Sequence, residues 1–132
     1  MCQPGSKLVE DNRFYSISLI MDGKALLFSW KTAPDATNDD YMNAIRKIAK
    51  YSQETKPYLI LIDKRKLESK VRFDHHWWHS EILPQYHKAG FAGFAHITGN
   101  PSANGTFAGA PEGLEFKMGE FKDIKSALAW KP

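Results

Sequence analysis

The stretch PYLILID, residues 57–63, most restricts what this chain can fold into. Leu59, Ile60, Leu61 and Ile62 are apolar at odd and even positions alike, so a strand built from them must be covered on both faces. The run is too short for an ordinary helix, and its content suits the centre of a parallel sheet. The upstream flank agrees. From Thr37 onward, Tyr41, Ile45, Ile48 and Ala49 recur at helical spacing, which predicts an amphipathic helix of about three to four turns. Thr37 with Asp40 has the form of a capping box. Asp39 and Asp40 suit the positive end of the helix, and Arg46, Lys47 and Lys50 its C-terminal half. Downstream, a second helix is expected from about Asp74 to Ala89, stopped by Gly90.

The remaining segments extend the same pattern. FYSISLI (14–20) alternates, with Tyr15, Ile17 and Leu19 on one face. Asp22-Gly23 is a favoured hairpin dipeptide, and ALLFSWK (25–31) is the return strand. FAGFAHIT (91–98) reads as a further strand, GNPSANGTFAGAPEG (99–113) as a loop and LEFKM (114–118) as an edge strand. Asp123 can cap a last helix with Ile124, Ala127, Leu128 and Trp130 facing inward. The expectation is an α/β fold: a single-layer mixed sheet of about five strands with helices packed on it. Residues 1–132 form one domain, with 1–12 a frayed N-terminus.

This length can bury a core without disulfides or a structural metal. The lone Cys2 and the absence of an apolar leader or a membrane-length apolar run predict a cytoplasmic protein without a membrane span. A net charge of +3 is too small to argue for nucleic acid.

Three stretches resemble the small bacterial SpoIIAA-like family, also described as STAS/SEC14-like. They are LILIDKRKL, in which an apolar strand ends at Asp63; WW…ILPQYHKAGFAGFAHITG; and FKDIKSALAW, with its capped final helix. The resembling features run roughly from Phe14 to Trp130 and are patterns of core and caps. They imply a SpoIIAA-like fold and either protein–protein regulation or binding of a small apolar-anionic ligand. Antagonists of this superfamily carry an Asp-Ser-Ser-Gly-like phosphorylatable turn after the central strand. This chain reads DKRKLESKVRFD there, with Ser69 as the only hydroxyl.

Chemistry concentrates in FDHHWWHS, residues 73–80. His75 and His79 are spaced i, i+4 and share a face of a regular helix. The zinc-protease pattern needs Glu directly after the first His, and His76 stands there instead. With about 100° per residue, Trp78, Ile82, Leu83, Tyr86 and Ala89 form an apolar arc that includes His75 and His79, while Trp77 points away. Two inward histidines are therefore expected at the mouth of the helix. An outward Trp77 would mark a protein-partner or homodimer contact, or else be covered by a loop. Lys64, Arg65, Lys66, Lys70 and Arg72 follow the strand end, where open α/β sheets hold ligands. The candidate ligand site is thus Asp63, Lys64, Arg65, Asp74, His75, Trp78 and His79. His75 and His79 are also weak metal candidates. The function expected is a non-enzymatic regulatory or ligand-binding module that needs no cofactor. The alternative is a metal-dependent hydrolase using His75 and His79.

Overall fold

The computed structural model describes residues 7–32, 35, 37–66, 75–98 and 114–132, with the backbone alone at His75. Six strands form one sheet in strict chain order: β1 (Lys7–Asp11), β2 (Tyr15–Ile20), β3 (Ala25–Trp30), β4 (Leu59–Asp63), β5 (Gly93–Ile97) and β6 (Lys117–Phe121). The first three are antiparallel neighbours, and β3 through β6 run parallel. Helix α1 (Asn38–Thr55) links β3 to β4. Between β4 and β5, a composite helix consists of α2 (His75–Trp77), a π segment (Trp78–Ile82) and α3 (Leu83–Ala89). Helix α4 (Ile124–Ala129) follows β6.

Because the strand order never doubles back, the two helical crossovers among the described residues advance in the same direction. Right-handed crossovers of that kind place their helices on one face. On this front face, α1 and the composite helix pack over Ile17, Leu26, Phe28, Ile60, Ile62 and Phe94. The back face is covered by α4, whose Ala127 joins Ala25, Leu59, Leu61, Ala95 and Ile97. The two-sided apolar pattern of PYLILID is thereby explained: Ile60 and Ile62 serve the front core, Leu59 and Leu61 the back. Fully burying such a side chain contributes about 1.5–3 kcal/mol.

Local signals produce the expected caps, although α1, at 18 residues, is longer than the three to four turns expected. Thr37 caps α1 in a reciprocal box with Asp40: the Asp40 N–H donates to the Thr37 hydroxyl at 3.2 Å, and the Thr37 N–H donates to the Asp40 carboxylate at 2.9 Å. Gly90 ends α3 at φ 75°, a left-handed conformation that glycine adopts without a Cβ penalty. Asp123 caps α4 by accepting from the Ser126 N–H at 2.7 Å.

Two expectations change. Residues 7–11, which lie within the stretch read as frayed, form edge strand β1 and raise the strand count to six. KLVED has no clean alternation. Its place is secured instead by pairing with β2 and by Glu10, which accepts from the Tyr15 and Tyr51 hydroxyls. The last strand lies at Lys117–Phe121 rather than 114–118, because its register is fixed by β5, which starts at Gly93 opposite Lys117. Phe116 precedes the ladder and is buried against Phe91, with ring centroids 4.7 Å apart. It remains an edge strand.

Candidate functional site

The composite helix decides which parts of FDHHWWHS face the core. Pro84 has no N–H, and its ring would crowd the carbonyl of Ser80 in a regular helix. The chain passes this point as a π turn, in which the Leu83 N–H donates to the Trp78 carbonyl five residues back. In an α-helix His79 would sit over Leu83, but here Trp78 takes that place. Trp78 is accordingly buried at 5% exposure, with its ring edge-on to Tyr86 at 5.9 Å. His79 turns out to solvent, as does His76. The expectation of His79 as an inward ligand is corrected: one extra residue per turn rotates everything N-terminal to Leu83. The side chain of His75 lies outside the described residues, as does Asp74.

Trp77 is half-buried against the front core. Among the described residues its ring is covered by Arg46 of α1, whose guanidinium lies 5.3 Å from the ring centroid. Arg46 is held there by Glu81, with its Nε donating at 2.8 Å, and by Asn43 at 3.0 Å. Trp77 therefore ties the composite helix to α1.

The basic strand end divides between the two faces. Asp63 has the parity of Leu59 and Leu61 and belongs to the back. There it takes a two-pronged hydrogen bond from Arg65, at 2.9 and 2.7 Å, and accepts from the Arg65 backbone N–H at 3.2 Å. Burial pushes the Asp63 carboxyl up, but the Arg65 hydrogen bonds outweigh it and the group sits below the usual carboxylate range. Lys64 continues the parity of Ile60 and Ile62 toward the front, where its titratable neighbours are His96 and Glu120. Asp63 and Arg65 thus do not converge with Lys64 and Trp78, since the sheet lies between them. Residues 67–74, including Ser69, Lys70 and Arg72, and residues 99–113, expected as a loop, lie outside the described residues.

A different group of residues gathers at the front. Parallel register sets His96 beside Ile62 and Glu120, and Lys64 follows one step beyond β4. His96 is half-buried as a residue, yet both ring nitrogens are shut off from solvent. Burial, and secondarily the Lys64 ammonium, hold its imidazole well below the ordinary histidine range, so it is neutral near pH 7. Burial also lowers Lys64, and Glu120 partly restores it. The aromatic residues behind this group carry polar tips. Tyr41 stacks on Trp30 at 5.3 Å, and burial pushes its hydroxyl up to about 12. Tyr86 is held higher still, again by burial first.

Sequence reading missed His96, Glu120, Tyr41 and Tyr86 as a group. A signal was present, since Phe94 and His96 share a parity within an alternating strand, but their partners come from three other elements. The sheet order also bears on the site. Crevices at strand ends open where successive crossovers diverge to opposite faces, and here the two described crossovers stay on one face.

Among the described residues no three His, Cys, Asp or Glu side chains are grouped to hold a metal ion, and no helix is long and apolar enough to cross a membrane. Compared with protein-family models, with curated proteins and with solved structures, the chain matches none.

Proposed function

We propose that this domain is a non-enzymatic regulatory or ligand-binding module, with its binding end on the front face at the C-terminal ends of β4, β5 and β6. The observation that carries this reading is the gathering of Lys64, His96 and Glu120 at the strand ends, beside Phe94, whose ring lies 4.9 Å from His96 and 5.3 Å from Tyr86. Lys64 and Glu120 offset each other's charge, and His96 is neutral with its ring nitrogens closed to solvent. Such groups are set to hold a partner by hydrogen bonds and apolar contact rather than to exchange protons with water. The partner class is a regulatory protein or a small apolar or anionic ligand.

The SpoIIAA-like resemblance supports the same reading. Its three stretches contain β4, the run from the π segment into α3 and β5, and α4. A metal-dependent hydrolase would depend on His79, which points to solvent; no observation favours that reading.

The test is a titration of tryptophan emission with anionic phospholipid vesicles and with phosphorylated metabolites, alongside sizing with and without a cell extract. A saturable emission change or a larger complex is the expected result. No change with any of these, from a protein that stays monomeric, would contradict the proposal.

A further inference from the structure

The sheet has a second end, opposite the one described above. Strands β1, β3, β4, β5 and β6 begin there and β2 ends there. Helices α1 and α3 finish at the same end. After α4 the chain returns to it, because Trp130 and Pro132 close on Gly93 at the start of β5. The topology thereby gathers Lys7, Lys24, Lys56, Lys88, Lys117 and Lys131, all of them exposed. None of these is held in an ion pair among the described residues, whereas Arg13, Lys31, Arg46, Lys47 and Arg65 elsewhere are each paired with a carboxylate. Asp22, Glu54 and Glu115 are the acidic residues described near this end, and Glu115 is engaged by His87 at 3.1 Å. The end is therefore net positive.

Two further features fall at the same end. Leu8, Met21 and Tyr58, at 59%, 48% and 52% exposure, are the large apolar side chains most open to water among the described residues. Met21, Lys24 and Tyr58 adjoin: the Tyr58 N–H donates to the Lys24 carbonyl at 2.7 Å, and the Lys24 N–H to the Met21 carbonyl at 3.2 Å. Met21, Asp22 and Lys56 are also the non-glycine residues described with left-handed backbone, at φ 53°, 57° and 47°. Aspartate tolerates that conformation, but methionine and lysine are disfavoured in it. The end of α3 shows the unstrained alternative, since Gly90 stands there where Lys56 stands at the end of α1. An exposed apolar and an exposed cationic side chain are thus kept at positions whose backbone suits asparagine or glycine better. Strain of this kind collects at functional sites.

Breadth and chemistry decide the occupant. Strands β1 and β6 are the two edges of the sheet, so the lysines from Lys7 to Lys117 span roughly 24 Å at about 4.8 Å per strand. They spread across a front, and no described arginine lies among them. Forked recognition of nucleic-acid phosphates favours arginine, whereas a compact, strongly hydrated ammonium stays among lipid headgroups while its apolar neighbours enter the acyl boundary. We propose that this lysine-rich end docks on an anionic lipid surface, with Met21 and Tyr58 entering the interface and the lysines contacting the headgroups. The surface lies at the opposite end of the sheet from Lys64 and His96 and does not rest on the function proposed above.

Flotation of the full chain with vesicles of equal parts phosphatidylglycerol and phosphatidylcholine, against vesicles of phosphatidylcholine alone, tests it. Binding to the mixed vesicles is expected, with little to the neutral ones and a loss in high salt. Lys24→Gln and Lys117→Gln are each expected to weaken it about fivefold. Met21→Asn and Lys56→Gly should weaken it by a similar factor of about five while melting at or above the wild-type temperature, because each relieves a left-handed backbone. Lys122→Gln, beyond the other end of β6, should leave binding within about twofold. Equal binding to both kinds of vesicle, or none to either, would overturn the proposal. So would binding that the first four variants leave intact, and any response to anionic vesicles would then belong to the other end of the sheet. Polyglutamate or a single-stranded oligonucleotide bound more tightly than the mixed vesicles would point to an acidic polymer and overturn the lipid surface.

Discussion

Helix α1 and the composite helix cross the same face of the same sheet, yet they are built by opposite rules. Helix α1 is regular over 18 residues, capped by Thr37 and closed at Lys56, whose N–H donates to the Ser52 carbonyl. Its apolar residues fall where a uniform 100° step puts them, and Ala44, Ile45, Ile48, Ala49 and Ser52 are buried. The composite helix has no side-chain cap on its π segment and changes pitch between Trp78 and Ile82. The regular helix supplies packing. The irregular one brings Trp78 and Tyr86 to the candidate site and sends His79 outward. A break in helical pitch thus relocates chemistry without altering the fold, and single-turn π segments often mark functional positions.

The sharpest way to break this comparison is to exchange the roles of Trp78 and His79. Trp78→Ala is expected to cost about 3–5 kcal/mol, as for other buried large aromatics. His79→Ala should change stability by no more than about 0.5 kcal/mol. Denaturant unfolding of both variants measures this, and the reverse ranking would restore a regular helix.

The second effect depends on pH. Unfolded histidine titrates near pH 6.5, and folded His96 resists protonation to well below that. As pH falls below about 6.5 the unfolded chain gains a proton that the folded one refuses, so stability declines toward the folded value. The slope from this residue cannot exceed about 1.4 kcal/mol per pH unit. Above pH 6.5 the contribution vanishes. In His96→Leu the decline between about pH 6.5 and 5 is expected to flatten; an unaltered decline would mean that His96 titrates as it does in water.

Smaller effects sharpen the contrast between the helices. Thr37→Ala should cost about 1 kcal/mol by removing the reciprocal cap of α1; a loss within measurement error would show that packing alone holds that end. Glu81→Gln releases Arg46 from its place over Trp77. Because Glu81 and Arg46 are both substantially exposed, the expected loss is about 0.2–1 kcal/mol at low salt, shrinking toward zero in about 1 M salt. A loss independent of salt would mean that the contact is packing rather than charge.

What could be read from the sequence follows the range of each interaction. Thr37 with Asp40, the two-sided run from Leu59 to Ile62, and Asp123 ahead of Ala127 are local signals, and each forms the expected element. The inward placement of His79 failed for one reason: Pro84 changes the pitch of residues before it, and a uniform angular step cannot carry that. Residues 7–11 were missed because an edge strand with polar flanks depends on the backbone of β2 and on Tyr15 and Tyr51, not on its own pattern. Lys64, His96 and Glu120 come together only through the parallel register of three strands separated by long connections. Asp63 and Lys64 are neighbours in sequence, but strand alternation sends them to opposite faces.

The central claim is that binding occurs at the polar-tipped end of the front core. The chain contains four tryptophans, which distribute well for testing it. Trp30 and Trp78 lie in the front core, Trp77 packs at its margin under Arg46, and Trp130 packs on the back face. The most direct measurement is an NMR titration of the indole N–H signals with the phosphorylated metabolites. The Trp78 signal should move most and Trp30 less, while Trp130 stays in place. A shift at Trp130 with Trp78 unmoved, or no shift at any of the four, would contradict the account.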